Sequence, residues 1–95
     1  MTARTDVAEF EIEVRVTPRR GILDPQGKAV GGALSSLGFR GVGDVHVGRL
    51  VVFPLEAAGE AEAREQVDAM CRQLLANPVT EDYAVTVRAG AGSAG

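Results

Sequence analysis

One stretch constrains the fold more than any other. From Glu9 to Thr17, apolar residues alternate without interruption with charged or polar ones. Because successive side chains of a β-strand point to opposite faces, this period predicts a strand with one face on a core and the other facing solvent or a partner. Pro18 ends the predicted strand, since proline has no backbone N–H to donate. The apolar positions are Phe10, Ile12, Val14 and Val16.

A helix start follows this strand. Asp24 suits the N-cap position, where a side-chain oxygen accepts free backbone N–H groups, and Pro25 suits the first helical position. The predicted helix covers residues 25–37, and Gly38 is predicted as its left-handed end. Its apolar residues fall on one stripe that is predicted to be buried. They are Ala29, Val30, Ala33, Leu34 and Leu37.

The rest of the chain predicts two strands, a helix and a last strand. Residues 42–47 and 49–55 are predicted to form a hairpin around Gly48. A second helix is predicted at residues 60–76, ended by Asn77-Pro78. Its predicted buried stripe is Ala63, Val67, Met70, Cys71 and Leu74, and the last strand is marked by the alternating Tyr83, Val85 and Val87.

The element order β-α-β-β-α-β predicts the α+β class. The expected architecture is a two-layer sandwich, in which a ferredoxin-like antiparallel four-stranded sheet carries two helices on one face. Residues 1–88 are predicted to form a single domain. Residues 89–95 contain only Ala, Gly and Ser, and they are predicted to be a disordered tail because they have nothing to bury.

The strand after Gly48 has apolar residues at four consecutive positions, Leu50, Val51, Val52 and Phe53. Both faces of such a strand need cover, and two helices on a small sheet cover only one. We therefore expect the other face to meet a second subunit. A short core strand with a tolerated exposed valine stays open as the alternative.

Composition excludes several classes of function. A net charge of -3 argues against nucleic-acid binding, which usually needs a basic patch. The longest apolar run, residues 50–53, is too short to span a bilayer, and the first six residues lack the apolar core of a signal peptide. A cytoplasmic protein that binds neither nucleic acid nor membranes is expected.

No set of residues with catalytic spacing stands out. Cys71 falls on the apolar stripe of the second helix and is interpreted as a small buried hydrophobe, and His46 as an ordinary exposed histidine. Glu9, Glu11 and Glu13 share one strand face without a metal ligand of another type, so a solvated face is expected. We predict no catalytic, cofactor-binding or metal-binding residue in this chain.

Two motifs carry a resemblance to a known family. Leu23-Asp24-Pro25-Gln26-Gly27 is followed by Leu37-Gly38-Phe39, and Leu74-Leu75-Ala76-Asn77-Pro78-Val79 precedes Tyr83. This series resembles the PurS family, the small subunit of bacterial and archaeal phosphoribosylformylglycinamidine synthase. That enzyme makes formylglycinamidine ribonucleotide from formylglycinamide ribonucleotide, glutamine and ATP.

The resemblance implies a non-catalytic assembly subunit. Such a subunit joins a glutaminase to a large ATP-dependent synthetase and helps to couple ammonia transfer in purine biosynthesis. ATP and magnesium are then expected in the large subunit and no cofactor in this chain. A homodimer is also implied, with a tetramer left open.

The resemblance places structural or contact roles on the two motifs and their neighbours, and it fits a dimer face on the strand with four consecutive apolar residues. The first set is Arg19, Arg20, Asp24, Pro25, Gln26, Gly27, Asn77 and Pro78, and the dimer-face set is Leu50, Val51, Val52 and Phe53. One alternative is a dimeric ferredoxin-like module that binds a regulatory small molecule, which rests on fold analogy. The other is an independent glutamine-hydrolysing enzyme built on Cys71.

Overall fold

A computed structural model describes residues 7–90, which form three strands, two α-helices and one π-helical turn. This confirms the α+β class. The last strand includes Ala89, the first residue of the predicted tail. Residues 91–95 lie outside the described part, so their disorder stays a prediction. The elements are β1 (Ala8–Pro18), α1 (Pro25–Ser36), β2 (Arg49–Ala57), α2 (Glu60–Met70), the π-helical turn (Cys71–Leu75) and β3 (Glu81–Ala89).

Strand β1 is the centre of the sheet, a position that its alternation alone does not predict. The order is β2-β1-β3 and both pairings are antiparallel, with Val14 opposite Val51 on one side and Val85 on the other. The apolar residues of β1 form the middle of an inner face beneath α2, where Ile12, Val14 and Val16 are fully buried. Their inner-face neighbours on the outer strands are Val51, Phe53, Leu55, Tyr83, Val85 and Val87.

Helix α2 covers this inner face, and the π-helical turn changes which residues point inward at its end. Cys71 is fully buried, as predicted, but the predicted burial of Leu74 is wrong, because its side chain is 82% exposed. A π-turn takes up about one extra residue compared with an α-turn, which rotates the following side chains. Leu75 and Ala76 pack on the core instead.

The predicted hairpin at residues 42–47 and 49–55 is wrong. β2 pairs with β1, and residues 42–47 form no strand. The backbone N–H of Val47 is bonded to the carboxylate of Asp24 at 2.9 Å, so this segment returns along α1 rather than joining β2. Within residues 7–90 the sheet has three strands, and the four-stranded ferredoxin-like sheet is not confirmed.

Helix α1 does not lie on the sheet, so the prediction that both helices cover one face is wrong for the single chain. Among residues 7–90, α1 has no extensive contact with another helix or strand, and Gly27 is its one buried residue. The radius of gyration is 17.7 Å, against about 12 Å for a compact chain of this length. We call residues 19–48, which carry α1 away from the sheet and back, the arm.

The apolar stripe of α1 therefore faces outward. Leu37 is 73% exposed, and Leu34 is the only member that is half-buried. The helix itself is close to its predicted length, and Gly38 ends it with φ +94°, as predicted. Local sequence thus fixes the helix, while its predicted burial needs something outside the single chain.

Candidate functional site

The carboxylate of Asp24 fixes the base of the arm. One oxygen accepts the N–H of Gly27 at 3.0 Å, which caps α1 as predicted, and the other accepts the N–H of Val47 at 2.9 Å. The bond from Gly27, and then the bond from Val47, lowers the pKa of Asp24 because both stabilise the ionised form. His46 lies beside it, with Nδ1 3.6 Å from Oδ2 of Asp24. One side chain thus starts the helix and holds the returning segment.

Gly27 allows that segment to approach the helix closely. A Cβ at this position would lie 2.0 Å from the carbonyl oxygen of Val45, which is closer than any real side chain could stay. One turn later, a Cβ on Gly31 would meet the side chain of Val45 at 3.5 Å, an ordinary contact. The glycine of the first motif is therefore explained by backbone contact within the arm.

A second cluster joins the sheet to the end of the π-helical turn. The guanidinium of Arg49 donates to both carboxylate oxygens of Glu81 at 2.8 and 3.0 Å and to the carbonyl of Leu75 at 2.5 Å. Arg49 is the main cause of a lowered pKa of Glu81, and the N–H of Asn77, 2.7 Å from Glu81 Oε1, adds to it. Arg49 and Glu81 lie 32 positions apart, so no sequence periodicity pointed to them.

Asn77 and Pro78 form the turn that leads into β3. The side-chain oxygen of Asn77 accepts the N–H of Val79 at 2.9 Å, and its carbonyl accepts the N–H of Glu81 at 2.8 Å. Pro78 is exposed beside it. The second motif therefore has a structural explanation too, since it shapes the connection that the Arg49–Glu81 pair holds in place.

Two of the remaining predicted site residues, Arg20 and Gln26, line open recesses near these two clusters. Arg19 forms an exposed ion pair with Asp82 at 3.2 Å, a kind that contributes little to stability. Arg20 borders a recess of about 540 Å³ together with His46. A second recess of about 300 Å³ has Gln26 on the arm side.

That second recess lies where the two clusters meet. Asp24 and Gln26 line it from the arm, and Arg49 and Glu81 line it from the sheet. The first sequence motif thus lies at the junction between arm and sheet, and Glu81 connects this junction to Asn77 of the second motif. We call this junction the arm base.

The predicted dimer-face residues divide between the two faces of β2. Val51 and Phe53 are half-buried on the inner face against the core. Leu50 and Val52 lie on the outer face and are 56% and 51% exposed. The consecutive apolar run therefore does serve two faces, and the outer one has no cover within residues 7–90.

Within the described part of the chain, Cys71 and His46 lie in separate places and form no nucleophile–base pair. Cys71 lies under the sheet, where burial raises the pKa of its thiol and so disfavours the nucleophilic thiolate. Among residues 7–90, no three His, Cys, Asp or Glu side chains are grouped to hold a metal ion. No helix in that part of the chain is long and apolar enough to cross a membrane. The arrangement holds backbone segments together and exposes apolar surface, which suits contact with other chains.

Comparison with known proteins identifies the family. The family model described as PurS, phosphoribosylformylglycinamidine (FGAM) synthase, matches residues 11–89. The chain belongs to the PurS family. A PurS subunit from Synechocystis is 44% identical over 80 residues, which cover 84% of this chain and 80% of that protein. A PurS subunit from Mycobacterium leprae is 42% identical over 73 residues, covering 77% of this chain and 89% of that one.

Solved structures of PurS proteins share the fold. The Thermotoga maritima subunit superposes with a TM-score of 0.78 at 29% identity, covering 85% of this chain and 93% of that one. Bacillus subtilis PurS gives 0.74 at 37% identity, covering 83% and 98%. The structure of PurLQS from Thermotoga maritima contains a chain that matches with 0.76 at 30% identity, covering 83% and 96%.

The close approach at Gly27 gives a prediction with an internal control. Gly27→Ala should lower the free energy of unfolding by about 1–3 kcal/mol, because the new methyl group overlaps the Val45 carbonyl. Gly32→Ala should be neutral or stabilising by up to about 1 kcal/mol, since a Cβ there meets nothing and alanine favours the helix. Urea unfolding followed by circular dichroism at one chain concentration measures both. Equal stability of the two variants would contradict the assignment of Gly27.

Proposed function

We propose that this chain is the non-catalytic assembly subunit of phosphoribosylformylglycinamidine synthase. In this role it joins the glutaminase to the ATP-dependent synthetase and helps to couple ammonia transfer, while ATP and magnesium belong to the large subunit. The observation that carries the proposal is the match to a chain of the Thermotoga maritima PurLQS structure, of which 96% is covered. A cytoplasmic location is part of the proposal and rests on the same family membership.

The single chain supports this role by what it leaves uncovered. Side chains with several hydrogen bonds, such as Asp24 and Arg49, hold segments of the chain in place. Meanwhile the α1 stripe and the outer face of β2 stay open. Exposed apolar surface on a small protein marks a site of contact with other proteins.

The proposal includes a homodimer formed by exchange of the arms. Helix α1 carries an apolar stripe that its own sheet does not cover, and β2 carries half-buried Val51, Phe53 and Leu55 beside α2 on the inner face. A sheet face of this kind accommodates a second helix, and the arm holds α1 too far out to supply it. Packing α1 of each chain beside α2 of the other would bury both apolar surfaces at once.

Arm exchange would also supply the fourth strand that the single chain lacks. The order β2-β1-β3 leaves one edge of β2 open. Residues 42–47 of the partner follow its α1 and would reach that edge with it. A ferredoxin-like four-stranded sandwich would then be completed by two chains. Pro54 removes one donor from this edge, so the added pairing would be short.

Reconstitution tests the assembly role. We expect glutamine-dependent synthase turnover from the purified large subunit and glutaminase to appear only when this chain is added. Turnover driven by free ammonia should change much less, because it needs no transfer between subunits. Equal glutamine-dependent turnover without the chain would contradict the role.

The exchange predicts a matched pair of helix variants. Leu37→Asp should shift the homodimer toward monomer, because it places a charge in the α1 stripe. Ser35→Asp is the control, since Ser35 is exposed and lies two residues earlier, on nearly the opposite side of the helix. Sedimentation velocity over a dilution series measures the dimer fraction. An unchanged dimer for Leu37→Asp, or equal weakening by both variants, would contradict the exchange.

A further inference from the structure

The outer face of the sheet carries an apolar strip along β2. Leu50 and Val52 are more than half exposed on this face, and exposed Pro54 continues the strip toward the end of the strand. In register with them on β1 lie Arg15, Glu13 and Glu11. Arm exchange would cover the inner face and leave this strip as it is. We call Leu50, Val52, Pro54, Glu9 and Glu56 the outer patch.

One end of the outer patch carries two carboxylates that face each other across neighbouring strands. Glu9 on β1 and Glu56 on β2 lie directly opposite each other, an arrangement that destabilises a sheet because like charges face across the strands. Within residues 7–90, neither carboxylate has an ion pair. By contrast, Arg88 lies 3.3 Å from Glu11 and 2.9 Å from Glu13 and offsets their charge. The uncompensated charge is therefore next to the apolar strip.

Charge argues against a second copy of this chain as the occupant. Within residues 7–90 the outer face presents five carboxylates against the arginines Arg15 and Arg88 and the Arg19 that pairs with Asp82. The carboxylates are Glu9, Glu11, Glu13, Glu56 and Asp82. Stacking two such faces would bring together surfaces that both carry an excess of carboxylates. A partner with apolar side chains flanked by Lys or Arg would instead cover the strip and pair with Glu9 and Glu56.

We propose that the outer patch is the docking surface for another subunit of the synthase, one that presents apolar side chains beside a basic rim. The inference rests on the proposed assembly role and adds to it the surface and the chemistry of the partner. It also separates two kinds of contact on one sheet. The inner face and α1 serve the homodimer, and the outer patch serves the heteromeric complex.

The test compares matched surface variants in the reconstituted complex. Val52→Lys should weaken binding of the purified large subunit and glutaminase by about tenfold or more, as expected for a charge in the apolar centre of an interface. Ala61→Lys is the control, because Ala61 is an exposed apolar residue on α2, on the other side of the sheet. Affinity is measured by titration with the two purified subunits, and the homodimer by sedimentation velocity.

A second variant tests the charge and keeps the proposal falsifiable if Val52→Lys misfolds. Glu9→Lys combined with Glu56→Lys should weaken the heteromeric complex and reduce its sensitivity to salt, because the attraction to a basic rim is lost. Glu60→Lys combined with Glu65→Lys, both at exposed positions on α2, is the matched charge control. Both controls should bind as the unmodified chain does.

Three outcomes decide the matter. Loss of heteromeric binding with an intact homodimer supports the outer patch as the docking surface. Wild-type binding by Val52→Lys and by the charge-reversed variant overturns it, and so does loss of the homodimer itself, which would make the patch an interface between copies. In either of the last two cases the unmodified chain would still support glutamine-dependent turnover, and the assembly role would stand. The assembly role is contradicted only if the unmodified chain gives no glutamine-dependent turnover.

Discussion

The two hydrogen bonds accepted by the carboxylate of Asp24 decide the shape of this protein. One bond starts α1, and the other holds Val47 beside it, so the chain returns along the helix instead of turning into a hairpin with β2. Gly27 makes the return possible, since any side chain there would overlap the Val45 carbonyl. Because helix and returning segment are joined at the base, they leave the sheet together as an arm. The exposed stripe of α1 and the half-covered inner face of β2 are both consequences of that connection.

An arm of this kind leaves the single chain with apolar surface that it does not cover itself. A domain of this size buries only a modest share of its surface even when it is compact. In this chain α1 does not pack on the sheet, so still less apolar surface is buried. Its fully buried core is small and consists mainly of β1, α2 and the π-helical turn. The Arg49–Glu81 pair and the turn at Asn77 connect β2 to β3 at the place where the arm leaves the sheet. A sheet with an extended arm and exposed apolar surface suits the assembly role proposed above, and it is consistent with membership of the PurS family.

Much of the fold could be read from local patterns, and the failures have physical causes. The alternation of β1, the cap at Asp24 and the end at Gly38 are local, and the structure confirms each of them. The hairpin prediction was wrong because the carboxylate of Asp24, more than twenty positions earlier, accepts the N–H of Val47. The predicted burial of Leu74 was wrong because a π-turn changes the helical period, and no residue in the sequence marks that turn. The motif at the arm base was visible in the sequence, but its partners Arg49 and Glu81 were not, since only the folded chain brings them to it.

Mixed-label NMR can test whether α1 of one chain packs on the inner face of another, as arm exchange requires. A spin label on Ser36→Cys, in a Cys71→Ala background that leaves one reactive thiol, is placed in unlabelled protein and mixed with ¹⁵N-labelled chains that carry no spin label. Arm exchange predicts that the amides of Val51 and Phe53 in the ¹⁵N-labelled chains broaden, because the labelled helix lies beside β2 of its partner. Broadening of these amides only when spin label and ¹⁵N are in the same chain would mean that each α1 closes on its own sheet, and would contradict the exchange.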